Sequence, residues 1–368
     1  MNFYKIILIL IVFLGISCSP NTVLDEEVKT IELKESKDFL PISSFISDIN
    51  YLELKVTEAN VEVGEIQDIK VLDGEIIIKQ RKAGESSFIR FTEKGEFINE
   101  IINNKNGKIT NPLDIIPYKN GFAVLGKKGI HFVSKEGTYK GKMISSEMDG
   151  STFFEAKNRF YTINESLTNE FLSEYSEKSK SEKVTRLNER FDRLIYSNSA
   201  FVEKGNLHLL SSCSDIIYSY ASNKLLPKYK LDGGIYPTLN EVWQNVGDLD
   251  PKETMRYIYD TQHILVKNYL ENDAVIFLTY WVGSSSTTAI IKKANWEIRY
   301  YGHGVNDIDG GIWDKPLYLS SNSELYIPIS AAKITGHKIT NKWHNDFKHV
   351  QTHIAATGNP LIMRCKLK

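Results

Sequence analysis

Six short phrases of one kind recur along this chain, and they restrict its fold more than any other feature. The clearest is residues 66–79, IQDIKVLDGEIIIK: an apolar run, a two-residue turn at Asp73-Gly74 and a second apolar run. Such a turn needs positive φ, which Gly adopts without steric penalty. Comparable phrases surround Asn120, Asn158, Lys204, Asn272 and Asn322. A lone two-stranded hairpin is marginal in water, so each unit needs neighbours to cover its apolar face.

The turns are separated by 47 residues (73 to 120), 38 (120 to 158), 46 (158 to 204), 68 (204 to 272) and 50 (272 to 322). Repeats of roughly 40–50 residues with several strands each belong to propeller blades. Most steps leave room for a second, outer hairpin. Two of these are visible at Glu93-Lys94-Gly95 and Lys135-Glu136-Gly137, with glycines 42 residues apart (95 to 137). The spacing predicts an all-β chain folded as a six-bladed β-propeller. A β-sandwich with regular hairpins is the competing reading, since it too has short strands at even spacing.

Residues 30–33, TIEL, alternate like a strand but precede the first blade, and residues 51–56 read as a strand packing beside that blade. At the other end, Asn359-Pro360 halts a polar, part-helical stretch (331–357), and residues 361–367, LIMRCKL, read as a strand without an outer partner. Pairing TIEL with LIMRCKL would close the last blade and remove both free sheet edges. The longest step holds an insertion at about 237–262. Leu239, Val242, Trp243 and Val246 follow helical spacing there, and Asp250-Pro251 can cap a second helix. The insertion is expected over one end of the disc, where loops carry function. Residues 173–183, SEYSEKSKSEK, have no apolar periodicity and read as a solvated loop.

The chain has 368 residues, 42% hydrophobic and 11% aromatic, enough for a large all-β core. Lys and Arg total 45 against 46 Asp and Glu, a balance that argues against a nucleic-acid partner, which calls for a basic excess or stripe. Three cysteines, Cys18, Cys213 and Cys365, make neither a disulfide framework nor a CxxC metal site. The latter two read as small buried hydrophobes.

Residues 1–17 carry Lys5, an apolar run over 6–14 and Gly15-Ile16-Ser17 just before Cys18. That order describes a secretory signal peptide, and its apolar run is short for a membrane-spanning helix. Cys18 after these residues looks like a bacterial lipobox, in which the thiol is acylated and becomes the new N-terminus. Acyl chains contribute about 0.8 kcal/mol per buried CH₂, so several anchor stably. A plain signal peptide with an incidental cysteine is the alternative. The expected organisation is a signal peptide (1–17), a lipid-anchored polar tether (18–28) and the propeller (29–368). The expected partner is the membrane, through the anchor, and the expected location is the cell envelope, at the periplasmic or surface face of the outer membrane.

Two phrases resemble a known family. SDIIYSYASNKLLPKYKLDGG (214–234) and NDIDGGIWDKP (306–316) are similar to passages of the bacterial six-bladed β-propeller lipoproteins, relatives of NHL-type propellers. The ending NPLIMRCKLK (359–368) is similar to that family's terminal strand. The resemblance implies the propeller fold and an exported, usually lipid-anchored, setting. It implies no particular reaction and no catalytic residues. The chain departs from the family in lacking a glycine-proline core in the loop 103–112.

Candidate chemistry is sparse. His349 and His353 are four apart and would share a helix face, a workable metal-ligand spacing, in a segment that also holds His337 and His344; no HExxH pattern accompanies them. Asp307 and Asp309, before Gly310-Gly311, resemble the start of a calcium loop but lack its later carboxylate. His303, between two glycines, could face the central channel. Trp243 could meet ligand or pack on the propeller. No nucleophile elbow, P-loop or dinucleotide loop stands out, Ser284-Ser285-Ser286 reads as a turn, and no cofactor is expected.

The reading that follows is a non-catalytic, membrane-tethered binding module for an envelope protein, peptide or glycan, with ligand-binding candidates His303, Asp307, Asp309 and Trp243. The rival is a hydrolase or lyase acting on glycans or peptides at the channel mouth. Carboxylates or histidines converging at that mouth would favour the enzyme; an aromatic mouth without perturbed titratable groups would favour binding.

Overall fold

A computed structural model describes residues 28–56, 61–102, 109, 112–145, 150–156, 159–164, 170–176, 183–186, 198–203, 206–211, 215–221, 224–245, 250–338 and 346–368. Cys18, Cys213, His344 and the signal peptide lie outside these residues.

The N-terminal segment supplies β1 (Lys29–Glu32), β2 (Phe39–Pro41) and β3 (Ile46–Glu53). Blade one follows as β4 (Glu65–Leu72), β5 (Glu75–Lys82), β6 (Glu85–Thr92) and β7 (Phe97–Ile102). Blade two is β8 (Asp114–Tyr118), β9 (Gly121–Gly126), β10 (Gly129–Ser134) and β11 (Tyr139–Ile144). Blade three is β12 (Gly150–Ala156), β13 (Arg159–Asn164), β14 (Glu170–Tyr175) and β15 (Lys183–Arg186). Blade four is β16 (Asn198–Glu203), β17 (Asn206–Ser211), β18 (Ile216–Ala221) and β19 (Lys224–Asp232). Helices α1 (Leu239–Gln244) and α2 (Pro251–Asp260) precede blade five, which is β20 (Ile264–Glu271), β21 (Val275–Val282), β22 (Ser285–Lys292) and β23 (Glu297–Tyr301). After β24 (His303–Val305), blade six begins with β25 (Tyr318–Leu319) and β26 (Glu324–Ile329), detours through α3 (Ala331–Gly336) and α4 (Asp346–Thr357), and continues with β27 (Leu361–Leu367).

Each blade is built on four antiparallel strands, and blade four carries one more strand at its outer edge. The first strands of the blades touch one another around an axis, β8 to β12, β12 to β16, β16 to β20, β20 to β25 and β25 to β4. Apolar side chains gather in six clusters, one in each gap between neighbouring blades. That arrangement solves the problem posed by the isolated hairpins: each blade buries both faces against its neighbours.

The ring is closed by an N-terminal strand on the C-terminal one, as expected, but by a different strand. β3 pairs with β27 from Leu361↔Glu53 to Lys366↔Asp48 and becomes the outermost strand of blade six. The TIEL segment does not reach β27. It runs parallel to β19 as a fifth strand of blade four, with Ile31 opposite Leu231. Ile31 and Leu33 are buried there among Leu231, Tyr280 and Val282. The reason is length and reach. β3 matches the whole of β27 and delivers Leu52, followed by Leu54 and Val56, into the gap between blades six and one.

A second expectation changes in blade three. Residues 173–183 do not begin as a solvated loop, because Ser173, Glu174 and Tyr175 complete β14 and are buried. Glu174 tolerates burial because Arg159 pairs with it and the Tyr220 hydroxyl donates to it at 3.2 Å. The insertion forms two helices, and Asp250 caps α2 through a full capping box.

Two buried histidines set an acid sensitivity. His131 on β10 and His208 on β17 are both 4% exposed. Burial first, then Lys142 for His131 and Lys228 for His208, pushes each down to about 4. The unfolded chain takes up these protons near pH 6.5 and the folded chain does not, so stability falls as pH drops from 6.5 and levels off below about 4. The loss should be on the order of a few kcal/mol per histidine. Urea melts between pH 7 and 4 measure it, and His131→Gln should flatten part of the decline; an unchanged slope would contradict this account.

Candidate functional site

Strands alternate direction within a blade, so the two ends of the disc carry different connections. Turns between first and second strands, and between third and fourth, lie at the lower end. Blade-to-blade connections and second-to-third turns lie at the upper end, where the first strands begin. Both helical excursions belong to the upper end: α1 and α2 join β19 to β20, and α3 and α4 join β26 to β27.

Asp68, Asp114, Asn268 and Pro316 each stand five residues before the lower turn of their blade, so they share one level of the axial channel. A hydrogen bond from Asn268 Nδ2 to the Pro316 carbonyl, 3.0 Å, ties blades five and six at that level. Lys267 and Lys315 are one residue earlier, nearer the mouth.

The level is charged, and its two sectors differ. In blades one and two, Asp114 is buried and fully engaged: it accepts from Lys70 Nζ, from the Ile115 amide at 2.8 Å and from the Phe153 amide at 2.9 Å. Lys79 Nζ donates to the Leu113 carbonyl at 2.6 Å. Asp68 accepts only from its neighbouring Ile69 amide among the hydrogen bonds of the described residues. Burial lifts its carboxyl to about 6; Lys70 and Lys79 pull it down, and the negative charge of Asp114 works against them.

That shift makes a prediction. A folded pKa raised above the unfolded value of 3.8 favours the fold at low pH, and the benefit is lost as pH rises through about 6. Asp68→Asn should therefore melt with the wild type at pH 4 and above it at pH 8. The gain should be about 1–2 kcal/mol, reduced from the full linkage value because Asp68 is only half-buried. Parallel melts at the two pH values decide it.

Blades five and six carry cations instead. β20 has a bulge between Val266 and Asn268, which leaves Lys267 unpaired in the ladder. Its ammonium lies 4.7 Å from the centroid of the Trp281 ring. Trp281 is 46% exposed, although its neighbours Tyr280 and Val282 are core residues. Lys315 reaches solvent but is crowded by protein, which lowers its pKa, and the positive charge of Lys267 adds to the effect. Burial also lowers Lys267. Neither lysine forms an ion pair among the described residues.

The expected site residues are dispersed. His303 lies on β24, pairs with β2 beyond the outermost strand of blade five, and stacks on exposed Phe39 with centroids 5.2 Å apart. Asp307 accepts from the amide of Ser43 at 2.8 Å and from its hydroxyl, tying the N-terminal segment to blade six. Asp309 Oδ1 accepts from Asn306 Nδ2 at 2.7 Å and the Gly311 amide at 2.8 Å. Gly310 has φ +76°, and a Cβ on Gly311 would stand 2.4 Å from the Tyr51 hydroxyl, so this turn demands both glycines. Trp243 lies on α1, and its side chain lies outside the described residues. His349 and His353 are exposed on α4, where His353 Nε2 is 2.8 Å from Glu53 Oε2. Among the described residues no group of three or more His, Cys, Asp or Glu side chains is placed to hold a metal ion. Cys365 is fully buried, and burial pushes its thiol up.

Lys267, Lys315 and Trp281 were not singled out in the sequence. The available signal was a Trp near the end of an apolar strand, with a lysine in the paired strand. At the lower end, between blades four and five, lies another charged group. Glu271, 0% exposed, accepts from Lys228 at 2.9 Å, Lys293 at 2.6 Å and the Tyr229 hydroxyl at 3.0 Å, with Tyr269 also donating. Its oxygens are saturated from within the chain, so this cluster is a staple. A cavity of about 360 Å³ opens nearby between blades five and six, lined by Phe45, Val275, Ile290 and Leu367.

A family model, DUF5128, described as a 6-bladed beta-propeller, matches residues 19–108. The crystal structure of a candidate exported protein from Bacteroides fragilis aligns with a TM-score of 0.74 at 13% identity, over 92% of this chain and 100% of that one. A member of the DUF4221 family from Bacteroides vulgatus aligns with a TM-score of 0.50 at 10% identity, over 88% and 97%. The extracellular domain of a candidate one-component system from B. thetaiotaomicron gives 0.43 at 11% identity, over 76% of this chain and 32% of that one. At these identities the likeness concerns the fold. Among curated proteins none matches the chain.

Proposed function

We propose that this chain is an exported, membrane-tethered binding module that takes a small ligand at the upper mouth of its axial channel. The observation that carries the reading is the contrast between the two sectors of the mouth. Asp114 is committed to Lys70 and two backbone amides, whereas Lys267, over an exposed indole, and Lys315, within its electrostatic reach, stand near the mouth without an ion pair among the described residues. Crowded cations beside an aromatic surface are a recognition surface awaiting a partner. The tether rests on Cys18 and the apolar run before it, and the exported setting is in keeping with the Bacteroides fragilis protein of the same fold.

The test is equilibrium dialysis of the whole chain against a small-molecule extract of its native envelope, read by mass spectrometry. Compounds enriched by the wild type should be lost with Lys267→Gln/Lys315→Gln. Equal enrichment by both, or none, would overturn the reading. Membrane extraction of the wild type and Cys18→Ala tests the anchor separately: the variant should become soluble.

A second reading is favoured by one residue. Asp68, lifted to about 6, could serve as a general acid in a glycan- or peptide-cleaving site. Turnover on panels of glycosides and peptides that vanishes in Asp68→Asn would establish it. Binding with no turnover in either protein would set it aside.

A further inference from the structure

The residues at the upper end of blades five and six have a composition that specifies more than "ligand". Resting on the binding-module reading, we infer that they select a carboxylate carried on a ring with an apolar face, of which a hexuronic acid is the simplest example. Three features make the argument.

First, the cations come from separate blades at nearly one level. Lys267 is presented by the bulge in β20, and Lys315 by the connection into β25. Asn268 clamps the two connections together through the Pro316 carbonyl, so the ammonium pair is held by the frame and not by long flexible loops. Two like charges kept together repel, and an anion between them removes that repulsion.

Second, the anion has a matching surface beside it. Trp281 points toward blade six with the same alternation as Val275 and Phe277, which are buried in the gap between blades five and six. At the upper end the indole is left 46% exposed. Lys267 already sits over the ring, so the cation and the aromatic surface are one composite site. A ligand with charge alone would leave the indole in water, and a neutral sugar would leave the ammonium pair uncompensated.

Third, lysine rather than arginine selects the anion's form. Ammonium groups act as point charges without the planar fork that favours bidentate phosphate, so a compact monoanion suffices. Asp68, in the neighbouring sector, adds negative charge above about pH 6 and disfavours highly charged anions.

Titration calorimetry on the full chain, at low salt and pH 7.5, tests this with galacturonate, glucuronate, glucose, benzoate and inorganic phosphate. Uronates should bind saturably and weaken at 0.5 M salt; glucose should bind at least tenfold more weakly, and phosphate should not saturate. Benzoate binding as tightly as the uronates would keep the carboxylate-plus-ring chemistry and remove the sugar. Lys315→Gln should weaken uronate at least tenfold while its melting temperature stays at the wild-type value. Trp281→Phe should retain part of the affinity, and Trp281→Ala should lose it. Phosphate binding as well as uronate, glucose binding equally, or Lys315→Gln binding uronate like the wild type would each overturn the inference. If uronates fail while an envelope compound is still captured in a Lys267- and Lys315-dependent way, the ligand class falls and the binding-module reading stands. If that capture also fails, both fall.

Discussion

Removing residues 361–368 should abolish cooperative folding. β27 is the hinge of the closed ring, hydrogen-bonded to β26 on one side and β3 on the other. Leu361, Ile362, Met363 and Cys365 are each no more than 2% exposed. Without the strand, β26 and β3 become free edges, and the clusters on both sides of blade six open to water. Circular dichroism should show no sharp thermal transition. A milder change, Ile362→Ala, should cost about 2–5 kcal/mol, because the site is enclosed and collapses poorly. In contrast, a chain beginning at residue 34 should lose β1 yet keep a cooperative melt. β1 covers the outer edge of blade four but lies outside the ring closure. If the C-terminal truncation melts like the wild type, or the N-terminal one does not melt cooperatively, the closure described above is wrong.

Glu271→Ala should be the most damaging single substitution among the charged residues. The carboxylate has no solvent exposure and neutralises Lys228 and Lys293, whose side chains are each 21% exposed. Burial opposes its ionisation, but Lys228 and Lys293 outweigh burial and hold it below its ordinary value of 4.5. Deleting it removes one acceptor from each of two confined ammonium groups and two tyrosine hydroxyls. The penalty should be about 3 kcal/mol, the lower end for a broken buried pair, because both lysines can turn toward water. Glu271→Gln keeps an acceptor for Tyr229 and should cost less. A depressed folded pKa means that the stabilisation is complete above pH 4.5 and disappears as pH falls through the lower folded value. The difference between the wild type and Glu271→Gln should therefore narrow below pH 4.5 in denaturant titrations. A constant difference would show that the carboxylate's charge contributes nothing.

Much of the architecture is legible in the residues. Asp73-Gly74 marks a turn because Asp73 has φ +51° and Gly74 +76°, and the apolar alternation on either side places Ile76 and Ile78 in one gap and Ile77 in the next. Asp250-Pro251 announces α2 because capping chemistry is local. The N-terminal pairing differs from the expected one for a physical reason: TIEL and β3 are both strands with a free edge to fill, and blades four and six each offer one. Asp307 and Asp309 had the right residue types for a calcium loop, but Asp309 is engaged locally by Asn306 and Gly311, and Asp307 is engaged by Ser43, which only the fold brings beside it.

By itself, the chain determined the number of blades, the closure of the last blade by an N-terminal strand, and the helical insertion, because period-two alternation and turn chemistry are written within a few residues. The tertiary structure alone decided which N-terminal strand closes the ring, that Asp114 is spent on Lys70 and backbone amides, and that Lys267 lies over Trp281 with Lys315 within its electrostatic reach. These depend on the level of one blade against the next and on a single-residue bulge at Lys267. A bulge shifts which way a side chain points without altering the local pattern of apolar and polar residues, so only the assembled ring reveals it.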